Sequence, residues 1–191
     1  MQISKAAWDP TVTAEGTARD QVRAVLGEPA VENTLTLFRE VEAATVIFEW
    51  KDLSFSFPVP GMLMKFWKPV PLPAHLQEIR SHYQRALEAG RRAQAKARPV
   101  GRAYIDYWVG RLEFGIGYLD TIEEMRRAAT AESEKKIPEA AQHAAAALAS
   151  LRQAIEAQAR VARDRSDLGA IAVLNEYAYR PLRAKLEELK K

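Results

Sequence analysis

Three observations predict an all-α fold for this 191-residue chain. Apolar residues recur three and four positions apart through most of its length, the spacing of one helix face. Prolines fall mainly between these periodic stretches, where they mark turns. Only two pieces, 46–48 and 53–57, tolerate a β conformation, and both are too short to form a sheet. The expected architecture is an antiparallel bundle of five to six helices in one domain, 1–191, with a long Pro-rich loop at 55–73. Residues 1–12 are expected to be a lead-in from a preceding domain.

The elements follow in order. Thr13 is placed to cap a first helix that runs through Leu26, and Gly27 supplies a left-handed end. Glu28 and Pro29 restart the chain as a second helix, with Leu35, Phe38, Val41, Ala44/Thr45 and Phe48 on one face, ending near Trp50–Asp52. A third helix is expected from Pro73 to about Ala97, with Leu76, Ile79, Tyr83 and Leu87 inward. The stretch from Arg98 to Gly101 then turns the chain, since Pro99 drives its predecessor out of helical geometry.

The fourth helix, Arg102 to about Ala131, carries two apolar stripes and so belongs at the centre. One holds Tyr104, Trp108, Leu112 and Leu119; the other holds Ile105, Val109, Ile116 and Met125. Gly110, Gly115 and Gly117 each weaken a helix by up to about 1 kcal/mol relative to Ala, so they imply close approach of a helix or a ligand. After a polar turn at 132–136, a fifth helix opens at Pro138 with a seam of Ala141, Ala144, Leu148, Leu151, Ile155 and Ala162. A sixth starts near Ser166–Asp167 and carries Leu168, Ile171, Leu174, Tyr177 and Ala178 until Pro181 kinks or breaks it.

Composition excludes several chemistries. There is no cysteine, hence no disulfide, thiol nucleophile or Cys-ligated metal, and the compartment stays open. Net charge is only +3, from 28 basic and 25 acidic residues that are interspersed, which argues against nucleic acid as a partner. The densest basic run, Arg91 to Arg98, ends a predicted helix, where cations favour the dipole. No apolar run reaches the roughly 18 residues of a membrane span, and the start lacks the apolar core of a signal peptide.

No catalytic constellation, cofactor site or metal site is expected. His75 and His82 lie seven residues apart with no i+4 His, and Leu72 and Ile79, three before them, are not the Glu of a Glu-x-x-His pair; His143 is on another helix. Asp106 and Glu113 are the nearest approach to an acid pair, yet such acids usually solvate a helix or pair with Arg. Asp120, Glu123 and Glu124 follow on the same helix. The stretch from Asp164 to Asp167 lacks the alternating oxygens and turn Gly of a calcium loop and suits helix capping instead.

The segment 55–73 is the one specific device. Met62, Met64, Phe66 and Trp67 are too apolar to be left in water, while Lys65 and Lys68 keep an edge wet. It reads first as a strap whose aromatics plug the core. Two alternatives are an aromatic platform for a sugar ring or partner domain, and docking at a membrane interface. The candidate ligand or interface residues are Met64, Lys65, Phe66, Trp67 and Lys68.

Two stretches carry a resemblance. Residues 8–15, Trp-Asp-Pro-Thr-Val-Thr-Ala-Glu, then a helix and Leu26-Gly-Glu-Pro-Ala30, resemble the junction where large glycoside hydrolases pass from catalytic barrel to C-terminal helical domain. Residues 164–180 look like the last helices of such domains in α-glucuronidase-like and hexosaminidase-like families. The resemblance implies a non-catalytic helical accessory module, with a catalytic barrel domain or itself as partner and an oligosaccharide within reach. It transfers no catalytic residue, because the strands of a barrel are missing. The alternative is a stand-alone interaction or oligomerisation bundle.

Overall fold

The computed structural model describes residues 9, 11–51 and 61–191, and among these every regular element is helical. The lead-in residues 1–8 and 10, the β-tolerant piece 53–57 and the Pro-rich stretch 55–60 lie outside the described residues. The long helices are α1 (Ala14–Leu26), α2 (Val31–Lys51), α3 (Ala74–Lys96), α4 (Arg102–Ser133) and α5 (Ile137–Arg160). A last rod comprises α6 (Arg165–Leu174), a π turn (Asn175–Tyr179) and α7 (Arg180–Leu189). Six helical rods therefore make an all-α bundle among the described residues. None is long and apolar enough to cross a membrane.

Local signals place most of the ends. The Thr13 hydroxyl accepts from the Gly16 N–H at 3.0 Å and caps α1. Gly27 closes α1 at φ +89°, a region that costs a residue with a Cβ. Asp164 accepts from the N–H groups of Ser166 and Asp167 at 2.8 and 3.0 Å, so it caps α6.

Pro181 does not break the last rod, which runs on as helix to Leu189. A proline offers no N–H to the carbonyl four residues back, and its ring crowds that turn. Here the turn before it widens, with the Arg180 N–H donating to the Asn175 carbonyl five residues back. One π turn thus absorbs the fault. Leu168, expected inward, stands 60% exposed on this rod.

Packing is strongest between α4 and α5, then α2 and α3, then α3 and α4. The glycines of α4 explain the first pairing. A Cβ on Gly110 would lie 2.6 Å from a Val161 methyl, and one on Gly117 would lie 3.0 Å from Ala154 Cβ. Helix α5 answers with Ala140, Ala144, Ala147, Leu151, Ala154 and Ala157 buried. This differs from the expected seam in which Ala141, Leu148 and Ile155 led. Close backbones admit alanine along the contact line, and the larger Leu148 and Ile155 move to its margin, half-buried. Ala162 lies beyond the end of α5. The polar turn is also shorter than expected, because α4 continues to Ser133 and keeps Glu132 helical.

The buried residues fall into separate clusters. One joins Leu63, Phe66, Leu76 and Ile79 to Leu119, Ile122, Met125 and Leu151. Another unites Leu26, Val31, Leu35 and Leu37 with Ala86, Ala89, Ile105 and Leu112. Each fully buried Leu or Ile adds roughly 1.5–3 kcal/mol, so these two clusters hold the bundle. A third, alanine-rich group seals Leu186 and Leu189 against α4 and α5.

Candidate functional site

The segment expected to be special lies against the bundle in its described part, 61–73. Leu63 is fully buried and Phe66 nearly so, both within the larger core cluster. Met64–Phe66 forms a single 3-10 turn that points these side chains inward. Met62 and Met64 pack half-buried against the same cluster. The Lys65 ammonium lies 4.8 Å from the Phe66 ring centroid, and Lys68 is exposed.

Trp67 is engaged on two sides. Its indole N–H donates to a Glu132 carboxylate oxygen at 2.7 Å, and the other oxygen of that carboxylate accepts from Lys185 Nζ at 2.7 Å. The same ammonium lies 5.5 Å from the Trp67 ring centroid, within cation–π range. Burial pushes the Glu132 carboxyl up, but the Lys185 and Trp67 hydrogen bonds outweigh it and hold the group below its usual range. Segment 61–73, α4 and α7 are thereby tied through one carboxylate.

The acids and histidines are engaged in several ion-pair groups, of which the one joining Asp120, Glu123, Glu124 and His143 through Arg80 and Arg127 is the most extended. Glu113 is bracketed by Arg91 at 3.1 Å and Arg160 at 2.6 Å, while Asp106 accepts from Gln94 at 2.6 Å. Arg80 spans Asp120 and Glu123 at 3.2 and 2.6 Å. Burial nonetheless raises the Asp120 carboxyl, and Arg80 only partly offsets it. His82 contacts Glu40 across α2 and α3, and His143 contacts Glu124 across α4 and α5, each at 2.7 Å; His75 sits near the start of α3. No three metal-ligating groups converge among the described residues. In the basic run, Arg91 reaches Glu113 and Arg92 pairs with Glu88.

The site that sequence reasoning missed is a cavity of about 680 Å³ where the two large core clusters fail to merge. Its walls carry Phe48, Tyr83, Trp108, Phe114 and Tyr118. Phe48 and Tyr83 have centroids 6.4 Å apart, and Phe114 and Tyr118 5.8 Å apart, both tilted pairs. Phe38 braces Trp108 edge-on at 5.3 Å. Gly115 seats Tyr83, since a Cβ there would lie 2.9 Å from the ring. This close approach, foreseen for a helix or ligand, is to an aromatic ring.

Two ionisable groups stand at the exposed edge, Glu49 on α2 and Arg111 on α4. Arg111 makes no ion pair among the described residues; its guanidinium lies 5.8 Å from the Tyr107 centroid. Arg163 stacks on the same ring at 4.5 Å. Tyr107 donates to Asp167 at 3.2 Å, and the Arg163 backbone N–H, the chief cause, keeps the Asp167 carboxyl below its usual range. Burial raises the phenols of Tyr83 and Tyr118, so both remain neutral at pH 7. The spacing of Tyr83, Trp108 and Leu112 marks them as inward-facing, but nothing in one helix's periodicity says that a void lies between them.

A smaller recess of about 310 Å³ lies at Val70–Leu72, α4 and α5. Arg127 holds Glu123 and Glu124 there, and Arg126 donates to the Pro71 carbonyl at 2.9 Å. It behaves as a brace for the strap.

Comparison with models of known protein families, with characterised proteins and with solved structures finds no match to this chain.

Proposed function

We propose that this chain is a non-catalytic helical module of a carbohydrate-active enzyme, packing on a catalytic barrel domain and presenting an aromatic edge to saccharide at the rim of that domain's cleft. The observation that carries the reading is Trp50. It is 82% exposed on the last turn of α2, one turn beyond Val46, itself 46% exposed. An indole buries roughly 150–250 Å² when covered and stacks on the apolar face of a sugar ring, so leaving one in water suggests a partner surface. Phe66 and Trp67 are turned toward the bundle, which moves the aromatic edge from the strap to α2. Glu113 held by two arginines and Asp106 by Gln94 support a non-catalytic role, and the two resembling stretches supply the carbohydrate context.

The test is acrylamide quenching, taking wild type minus Trp50→Phe as the Trp50 signal. Uronic-acid and N-acetylhexosamine oligosaccharides are added at a chain concentration where light scattering reports a monomer. Shielding of Trp50 by one saccharide class supports the reading. Protection that grows with chain concentration alone favours the self-associating bundle instead, and a Trp50 indifferent to both removes the sugar-facing role.

A further inference from the structure

We propose that the cavity between the two core clusters is a binding site for an amphipathic aromatic carboxylate, its ring system held among Phe48, Tyr83, Trp108 and Phe114 and its carboxylate on Arg111. The site is separate from Trp50, which does not line the cavity.

Size and lining decide the body of the ligand. A void of about 680 Å³ falls within the roughly 300–1,000 Å³ of small-molecule sites, and five aromatic side chains surround it. Val41, Met62, Leu112, Leu119 and Leu174 complete the wall. The wall is mainly apolar, so a saccharide would press many of its hydroxyls against aromatic and aliphatic carbon, and each polar group buried without a partner costs on the order of 1–3 kcal/mol. A flat aromatic body meets tilted rings on several sides and leaves nothing unsatisfied.

Charge decides the head. Arg111 is the cation at the edge, and it forms no ion pair among the described residues, whereas Glu113 next along α4 is held by two arginines. Arg163 also lies over the Tyr107 ring, at 4.5 Å, and the Asp167 carboxylate that accepts from the Tyr107 hydroxyl balances that charge, so Arg111 is the cation left to a ligand. The planar guanidinium fork matches a carboxylate through two parallel hydrogen bonds. Glu49 stands on the opposite helix and repels an anion from that side, so the ligand is oriented with its head toward α4. Leu174, the residue before the π turn, closes the wall from the last rod.

Calorimetric titration with 2-naphthoate, and with 2-naphthylmethanol as its neutral counterpart, tests the proposal on the whole chain. The expected result is tighter binding of naphthoate by about tenfold or more, the scale of one charge-assisted hydrogen-bonded pair. Arg111→Gln should remove that preference and leave the alcohol's affinity unchanged. Thr45→Trp, at an exposed position on the cavity wall, should abolish binding of both while the helical circular dichroism persists. Absence of heat with both probes overturns the site. Equal affinity for acid and alcohol, or a preference that survives Arg111→Gln, overturns the role of Arg111. Displacement of naphthoate by a neutral oligosaccharide overturns the ligand class.

Discussion

The clasp of Trp67, Glu132 and Lys185 gives the sharpest test of how the strap is held. Trp67→Phe keeps an aromatic ring at the position but deletes the N–H that reaches Glu132 at 2.7 Å. A hydrogen bond to a charged group is worth roughly 1.5–3 kcal/mol. Partial exposure trims this: the Glu132 side chain is 30% exposed and Lys185 17%. The expected loss is about 2 kcal/mol at pH 7, or a fall in Tm of roughly 4–8 °C for a domain of this size.

Acid discriminates the carboxylate bond from simple packing. Glu132 titrates below its ordinary value in the folded state, because its two donors together outweigh burial. Its contribution is therefore complete above the ordinary carboxyl range and is lost as pH falls through the lowered folded value. Urea midpoints for wild type and Trp67→Phe at pH 7 and again at a pH below the lowered folded value of Glu132 supply the assay. The gap should narrow by about half at the lower pH, because a neutral hydrogen bond is worth about half a charged one. A double-mutant cycle with Glu132→Gln should give a coupling of about 1 kcal/mol at pH 7. An equal gap at both pH values, or a coupling near zero, would refute the clasp and leave indole packing as the only term.

Three further perturbations probe the helix ends and corners. Gly101→Ala would set a Cβ 2.3 Å from the Val25 carbonyl oxygen, an approach that only backbone movement can relieve, so a loss of about 2 kcal/mol in urea unfolding is expected. Lys135 takes φ +61° in the turn between α4 and α5, where the Lys136 N–H closes back on Ala131. Lys135→Gly should raise stability by roughly 0.5–1 kcal/mol, read as an increase in Tm, since the left-handed cost exceeds glycine's extra entropy in the unfolded chain. Asp164→Ala removes the cap that takes two N–H groups of α6; a loss of about 1 kcal/mol and faster amide exchange at Ser166 and Asp167 are expected.

The sequence was most legible where one helix carries its own signal. Thr13, Gly27 and Asp164 mark ends through side-chain or backbone chemistry that needs no neighbour, and the structure uses each as read. It was less legible where two helices decide together. On α5 both the alanine line and the Leu148–Ile155 line satisfy a three-four spacing, and only Gly110 and Gly117 on α4 select the smaller residues for the contact. Pro181 shows the same limit, because the π turn that accommodates it is a property of the rod and its packing. The cavity lies furthest from what periodicity can express. Tyr83, Trp108 and Phe48 are correctly inward, yet the clusters they border meet around a void. Its aromatic lining and the Arg111 guanidinium at its edge, without an ion pair among the described residues, are the features on which the proposed ligand site rests.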